Sequence, residues 1–269
     1  MMRTALQALR TALFYLIYMG QTVVLAIFLG TYVIIVRRRT DFAWRVATYW
    51  YRSNVVLLRW IAGIETAVDG AENIPPGPVI FASKHQSNWD IFAILPYCDD
   101  KPAFIAKREL MDIPFFGWAA RMIDTIRVDR KRGAEAIPLM LEDARAALGR
   151  GCRIIIFPEG TRKVPMAAPD YRQGIVRMYE ALNVPVVPVA LNSGLFWGRH
   201  ALLWPGRARA RFLPAIPPGL EGRQFAARLQ AAVEAESTRL IADAVSAGEG
   251  RPPDAELRER LGLASVRDR

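Results

Sequence analysis

The pattern of apolar and polar positions divides the chain into a very apolar N-terminal segment and a longer, mixed remainder. Residues 11–36 contain no charged side chain, and no later stretch of that length is free of charge. An α-helix needs about 20 apolar residues to cross the hydrocarbon core of a bilayer. The sequence therefore predicts a membrane-associated helix. Because Gly20 and Gln21 interrupt the run at its centre, a single crossing and a monotopic helix pair both remain open.

The next segment, residues 41–63, mixes tryptophan, tyrosine and aliphatic side chains with Arg45, Arg52 and Arg59. This mixture is typical of an amphipathic helix that lies against a membrane surface, and an ordinary core helix is the alternative. We expect residues 1–66 to form a membrane-associated N-terminal unit of helices.

Beyond the Pro- and Gly-rich turn at residues 73–78, short β-rich runs alternate with helical stretches. Apolar runs separated by helices are typical of a sheet that is covered on both faces. The sequence predicts an α/β fold: a central, mostly parallel sheet flanked by helices, with the N-terminal membrane-associated helical segment beside it. The strand candidates are residues 79–82, 103–106, 125–128, 152–157 and 186–191, and the helix candidates are 134–149, 171–182 and 221–245.

The last third of the chain carries two further patterns. Arg207, Arg209 and Arg211 alternate with smaller or apolar residues, which predicts an edge strand. From about residue 248 the chain becomes charged and Pro-containing, which is typical of a loosely held tail. We therefore place the α/β domain at residues 67–247 and a charged, flexible tail at 248–269.

Charge and composition narrow the function classes. The hydrophobic fraction of 52% excludes intrinsic disorder, and two cysteines in 269 residues exclude a disulfide scaffold. The net charge is +10, and residues 1–60 hold eight arginines and one acid. An excess that brackets the apolar run favours anionic lipid headgroups over nucleic acid as the partner. More arginines follow the run than precede it, which predicts an inner (cytoplasmic) membrane protein with its catalytic domain on the cytoplasmic side.

The candidate chemistry follows the first predicted strand, in residues 83–90. His85 precedes Asp90 by five residues, so a loop that runs into a helix would let the carboxylate reach back to the imidazole. Such a pair forms a general base with its orienting group. The alternative is a helix-capping histidine, with Asp90 paired to Lys84 or Lys107.

Other chemistries fit this segment less well. A metal site has no further histidine or cysteine nearby to complete it, and we predict none. A serine hydrolase would need a G-x-S-x-G turn, and a nucleotide-binding protein would need a phosphate-binding loop. Neither motif is present.

A second polar cluster follows the strand predicted at residues 152–157. Glu159, Gly160, Thr161 and Arg162 place a flexible glycine between a carboxylate and a guanidinium. Arginine presents a planar fork that matches phosphate, and Arg130 follows another predicted strand. Together these residues predict a phosphate site. The alternative is that each arginine pairs with a local acid, Glu159 or Asp129.

These blocks, with the Val-Pro-rich run at residues 184–189, resemble in order and spacing the glycerolipid acyltransferases, above all the bacterial 1-acylglycerol-3-phosphate acyltransferases. The resemblance implies that His85 is the base and Asp90 its orienting group. It also implies that Lys107, Arg130 and the Glu159–Gly160–Thr161–Arg162 loop hold the acceptor.

The resemblance also implies the reaction. An acyl group is transferred from acyl-CoA or acyl carrier protein to the sn-2 hydroxyl of 1-acylglycerol-3-phosphate, giving phosphatidate. No cofactor is expected, and the partners are a phospholipid membrane, a lysophospholipid acceptor and the acyl donor.

Three positions depart from the family pattern. Lys84 stands where asparagine is frequent, Lys163 where a small hydroxyl is frequent, and Gln173 where lysine is frequent. None of them is His85 or Asp90, so the predicted reaction is unchanged. They leave the identity of the acceptor lipid open. Another lysophospholipid or a lyso-aminolipid is the alternative acceptor. A non-catalytic, membrane-tethered module that binds anionic lipid is the alternative to an enzyme.

Overall fold

The computed structural model describes residues 2–36, 41–99, 101–122, 124–199 and 202–263. Residues 37–39, whose arginines contribute to the predicted flanking charge, lie outside this part. The α-helices are α1 (Met2–Val36), α2 (Asp41–Leu57), α3 (Trp89–Ile94), α4 (Phe116–Met122), α5 (Ile137–Gly149), α6 (Gln173–Leu182), α7 (Gly222–Ser246) and α8 (Ala255–Arg260). The strands are β1 (Ile64–Asp69), β2 (Ile80–Ser83), β3 (Pro102–Lys107), β4 (Ile126–Val128), β5 (Arg153–Ile156), β6 (Val186–Leu191) and β7 (Gly206–Phe212).

The seven strands form one sheet in the order β1-β7-β6-β2-β5-β3-β4. All neighbouring pairs are parallel except β6 and β7. The predicted fold class, a mostly parallel sheet flanked by helices, is confirmed. Because β6, β2, β5, β3 and β4 run in the same direction, their carboxyl ends meet at one edge of the sheet.

The prediction that residues 207–212 form an edge strand is wrong. β7 lies between β6 and β1, and β1 pairs with the edge of β7 that was expected to be unpaired. The residues between the arginines are buried, whereas Arg207 and Arg211 pair with Glu65 and Asp69 on β1. The alternation therefore reflects pairing with an acidic neighbouring strand that the apolar pattern did not reveal.

Both faces of the sheet carry a hydrophobic layer, which explains why the central strands β2 and β6 are almost entirely apolar. Successive side chains of a strand point to opposite faces. Phe81 therefore belongs to the cluster that includes Phe14 of α1 and Phe92 of α3. Its neighbour Ile80 belongs to the other cluster, with residues of α5, α6 and α7.

Helix α1 packs against the α/β domain near its N-terminal end. The Gln7 amide donates to the carbonyl oxygens of Ala62 and Leu203, at 3.1 and 2.9 Å. The Thr11 hydroxyl accepts the Leu203 N–H at 3.2 Å. Phe14 is fully buried, with its ring centroid 5.3 Å from that of Trp197. One face of this half of the helix thus packs against the domain, whereas Leu6, Leu9 and Leu13 are exposed.

The C-terminal half of α1 contacts α2 and the start of α4. Gly30 lies so close to Phe115 that a Cβ atom at this position would fall 2.7 Å from the Phe115 Cα. At mid-helix, the Trp50 indole N–H donates to the Thr22 hydroxyl at 2.9 Å, and Ser53 donates to Gln21 at 3.1 Å. The polar residues at the centre of the apolar run, Gln21 and Thr22, are therefore partners for α2.

The C-terminal region differs in part from the tail that the sequence predicts. Residues 255–260 form α8, whose N-cap Asp254 accepts the Leu257 N–H at 2.9 Å. Leu257 is buried in the core, so this segment is held by a packed side chain. Residues 264–269 lie outside the described part. The domain boundaries at 66/67 and 247/248 stay predictions, and β1 spans the first of them.

Candidate active site

The polar residues of interest lie at the edge of the sheet where the parallel strands end. His85 follows β2, and Glu159 follows β5. In open α/β sheets, functional groups collect beyond the carboxyl ends of the strands. Because β2 and β5 are hydrogen-bonded neighbours, the topology places the two predicted clusters side by side.

His85 lies in the loop between β2 and α3, and its imidazole contacts Asp90 in the first turn of that helix. The Nδ1 atom is 2.9 Å from Oδ2 of Asp90. Since the carboxylate is an acceptor, Nδ1 donates the hydrogen bond, which leaves the lone pair on Nε2. The imidazole is 18% exposed, whereas the carboxylate is fully buried. The catalytic role of the pair stays a prediction.

The Asp90 carboxylate accepts four further hydrogen bonds. Its Oδ2 accepts the backbone N–H groups of Gln86 and Ser87, at 2.7 and 2.9 Å. Its Oδ1 accepts the hydroxyl groups of Ser87 and Ser193. A buried charge is tolerated when hydrogen bonds replace its hydration. The loop therefore folds around this carboxylate and holds it in one orientation toward His85.

The turn after β5 packs against the same histidine. The Phe157 ring stacks on the His85 imidazole, with ring centroids 3.9 Å apart. Gly160 has a φ of 65°, a left-handed conformation that favours glycine, and its N–H donates to the Phe157 carbonyl at 2.9 Å. The Lys163 N–H donates to the His85 carbonyl at 2.8 Å. The two loops are thus joined by a ring contact and by a backbone hydrogen bond.

Glu159, which we predicted to contact the acceptor, has its carboxylate inside the protein. Its side chain is 0% exposed, and its Oε1 lies 2.9 Å from the Lys84 ammonium group. Burial raises the pKa of the Glu159 carboxyl, and the Lys84 charge opposes that rise. Its side chain therefore contacts protein groups, while the exposed Thr161 and Arg162 lie at the surface of the turn.

Arg162 is oriented by the histidine loop. Its Nη1 donates to the Asn88 side-chain oxygen at 3.2 Å, so the alternative in which Arg162 pairs with Glu159 does not hold in this structure. The other local alternative, Asp90 paired to Lys84, also fails, because Lys84 pairs with Glu159 and Glu234. An exposed guanidinium next to the histidine loop is available to an anionic ligand.

The remaining predicted binding residues lie further along the same edge. Lys107 ends β3, and Arg130 follows β4. Strands are about 4.8 Å apart, so the ends of these strands lie roughly 10 and 15 Å from the end of β2, at the same edge of the sheet. Lys107 is exposed, and the side chain of Arg130 lies outside the described part. Asp129, the local acid next to Arg130, binds Arg108 at 3.2 Å.

Residues that sequence reasoning did not assign complete the site. Ser193 reaches Asp90 across 103 residues of chain, and Glu234 reaches Lys84 across 150. No spacing rule connects residues so far apart. The only signal in the sequence was Lys84 itself, a charged residue at the end of an apolar strand.

Comparison with known proteins gives the family. A family model described as Acyltransferase matches residues 65–192. The 1-acyl-sn-glycerol-3-phosphate acyltransferase of Pseudomonas aeruginosa is 32% identical over 244 residues, which cover 89% of this chain and 93% of that protein. The human 1-acyl-sn-glycerol-3-phosphate acyltransferase alpha is 31% identical over 60% of this chain, which spans 58% of the human protein.

The fold has a solved counterpart. The crystal structure of the 1-acyl-sn-glycerophosphate (LPA) acyltransferase PlsC from Thermotoga maritima matches with a TM-score of 0.67 and 23% identity, covering 87% of this chain and 97% of that one. The sheet and its flanking helices are therefore shared with that protein. The Pseudomonas aeruginosa relative, which is similar along nearly its whole length, shows that the chain is an enzyme of the 1-acyl-sn-glycerol-3-phosphate acyltransferase family.

Proposed function

We propose that this acyltransferase transfers a fatty acyl group from acyl-CoA or acyl carrier protein to the free sn-2 hydroxyl of 1-acylglycerol-3-phosphate, giving phosphatidate. The observation that carries the proposal is the His85–Asp90 pair, 2.9 Å apart at the end of β2 and beside the exposed Arg162. The names of the relatives support the same acceptor.

The geometry supports a direct transfer with His85 as general base. Nε2 takes the proton from the acceptor hydroxyl, and the oxygen forms a bond to the thioester carbonyl carbon. When the tetrahedral intermediate collapses, the carbon–sulfur bond breaks and the thiolate takes the proton from the imidazolium. Asp90 holds the ring and stabilises the imidazolium between these steps. No covalent enzyme intermediate and no cofactor are needed.

The experiment that tests the proposal is acyl transfer by the purified full-length protein in detergent. Two donors that carry a labelled acyl group are compared, acyl-CoA and the acylated acyl carrier protein. Lysophosphatidate is compared with a choline lysophospholipid, a lyso-aminolipid and phosphate-free monoacylglycerol as acceptors. We expect the highest kcat/KM with lysophosphatidate. A higher value with any other acceptor would contradict the assigned substrate.

Arg162→Ala tests the phosphate contact. Charge-assisted hydrogen bonds contribute about 1.5–3 kcal/mol, so KM for lysophosphatidate should rise roughly tenfold to a hundredfold. KM for the acyl donor should stay nearly constant. The matched control is Arg172→Ala, because Arg172 is also exposed and pairs with Asp170 at 3.0 Å. Equal increases in both KM values would argue against a phosphate contact at Arg162.

We also propose that α1 lies along one leaflet of the inner membrane, with the catalytic domain in the cytoplasm. Among the described residues, one helix, Thr4–Val36, is long and apolar enough to cross a membrane, with a mean hydropathy of 2.1. Its contacts with the α/β domain run from Gln7, which binds Leu203, to Gly30, which lies against Phe115, and this is roughly 35 Å of helix. A helix in contact with one domain over a length greater than the hydrocarbon thickness of about 30 Å favours the monotopic arrangement.

Labelling of Thr4→Cys in spheroplasts checks this arrangement. Thr4 is exposed, and the two native cysteines are buried. A membrane-impermeant maleimide should leave Thr4→Cys unlabelled in intact spheroplasts and label it after detergent lysis. Gln230→Cys on α7, also exposed, serves as the cytoplasmic control. Labelling of Thr4→Cys alone in intact spheroplasts would instead indicate a full crossing.

A further inference from the structure

A buried lysine next to the histidine is the feature that the proposed mechanism leaves unused. Lys84 directly precedes His85, and its side chain is 1% exposed. Its ammonium group lies 2.9 Å from Oε1 of Glu159 and 2.7 Å from Oε1 of Glu234. Lysine is almost never fully buried unless it is paired. Because desolvation makes such a pair costly, an apolar residue would serve better if packing were the only requirement.

The direction of the Lys84 side chain follows from strand alternation. Its backbone N–H continues the pairing of β2 with β6 by donating to the Val189 carbonyl at 3.0 Å. Ile80 and Ala82 belong to the hydrophobic cluster on the α7 side of the sheet. The side chain two residues beyond Ala82 therefore points to the same side, where α7 supplies Glu234.

A tyrosine extends this cluster. The Tyr171 hydroxyl donates to Oε1 of Glu234 at 3.0 Å. Burial, with the Glu234 charge beside it, raises the pKa of Tyr171 far above its usual range, so the phenol stays a neutral donor. The ammonium group of Lys84 therefore connects the histidine loop with the turn after β5 and with helix α7, and Tyr171 adds a further hydrogen bond to Glu234.

The turn after β5 is held to the His85 peptide at two points. The Glu159 carboxylate accepts the His85 N–H at 3.4 Å, and the Lys163 N–H donates to the His85 carbonyl at 2.8 Å. Arg162 lies between these two points. Whatever fixes the Glu159 carboxylate therefore also fixes the distance between the Arg162 backbone and His85.

We propose that Lys84 is a positioning residue for the acyl-transfer reaction. By holding Glu159 and Glu234 together, it keeps the turn at residues 158–162 in place, and with it the guanidinium that receives the acceptor phosphate. Without the ammonium group, two carboxylates would face each other in a site where one of them is fully buried. They would repel or take up a proton, and in either case the turn would lose its fixed position. This inference rests on the proposed function.

The test compares Lys84→Met with Arg153→Met in the full-length protein. Arg153 is also a buried cation of the sheet, and it binds Asp99 at 2.6 Å and the Tyr97 carbonyl at 2.7 Å. It begins β5, so it lies at the opposite edge from the site. Both variants should have a lower melting temperature. Only Lys84→Met should raise KM for lysophosphatidate, by about tenfold or more, with KM for the donor nearly unchanged.

Phosphate-free monoacylglycerol provides the second measurement. Because it makes no phosphate contact, its KM should change less than about threefold in Lys84→Met. A folded Lys84→Met enzyme whose KM for lysophosphatidate matches that of Arg153→Met would overturn the positioning role.

Glu234→Gln keeps the proposal testable if Lys84→Met does not fold. Glu234 is 23% exposed, and its replacement leaves the Lys84–Glu159 pair intact. We expect a smaller change in the same direction, about threefold to tenfold in KM for lysophosphatidate. No change would refute the inference. A wild-type enzyme that does not acylate lysophosphatidate would instead refute the proposed function, so the two failures are distinguishable.

Discussion

His85→Ala is expected to lower kcat for acyl transfer about 10²- to 10⁴-fold, because it removes the group that takes the proton from the acceptor hydroxyl. Folding should be little affected, since the imidazole is partly exposed and lies at the end of a strand rather than in the core. The measurement is single-turnover transfer of labelled acyl groups to lysophosphatidate. Donor binding should remain close to that of the wild type.

A second variant separates the loss of the base from the loss of packing against Phe157. His85→Gln fills most of the imidazole volume and keeps an N–H that can donate to Asp90, but it offers no basic nitrogen. It should be as impaired as His85→Ala. If either variant retains more than about a tenth of the wild-type rate, His85 is not the general base.

Asp90→Asn is expected to lower kcat by roughly 10²- to 10⁴-fold without disrupting the loop. The amide oxygen can accept the N–H groups of Gln86 and Ser87, as Oδ2 of the carboxylate does. The amide nitrogen then faces the hydroxyl groups of Ser87 and Ser193, which can rotate to accept its hydrogen bonds. What the variant loses is the negative charge that stabilises the imidazolium.

The kinetic signature of Asp90→Asn distinguishes this role from a structural one. An interaction that matters mainly in the transition state lowers kcat and leaves KM for both substrates near the wild-type values. The melting temperature should fall by only a few degrees, as for a substitution of about 1 kcal/mol. A large fall in melting temperature with a small change in kcat would show that Asp90 only holds the loop together.

Local patterns were enough to predict the strands that carry the site. The apolar runs at residues 79–82 and 186–191 correspond closely to β2 and β6, because a strand buried on both faces must be apolar at successive positions. The polar blocks that follow such runs lie in loops at the carboxyl ends, which is why His85 and Arg162 could be selected as candidates. By contrast, the apolar residues of β1 are interrupted by Glu65, Thr66 and Asp69, so no comparable apolar run marked this strand.

The apolar N-terminal run predicted membrane association, but its packing could not be derived from hydropathy. Hydropathy records how apolar a helix is, not which of its sides meets protein. Gln7 and Thr11 are buried, and they form hydrogen bonds with residues far away in the sequence. Gln7 donates to the carbonyl groups of Ala62 and Leu203, and Thr11 accepts the Leu203 N–H. These contacts depend on the loop before β7 lying beside α1, which follows from the strand order.

The composition of each segment thus determined the elements of this protein and the residue types at the ends of its strands, because both depend on neighbours close in the chain. The assembly of the site depended on strand order instead. β6 lies next to β2, and this pairing brings Ser193 close to Asp90. Helix α7 packs against the same region of the sheet, so Glu234 contacts Lys84. Contacts between residues more than a hundred positions apart are set by the packing of whole elements, and no local periodicity records them.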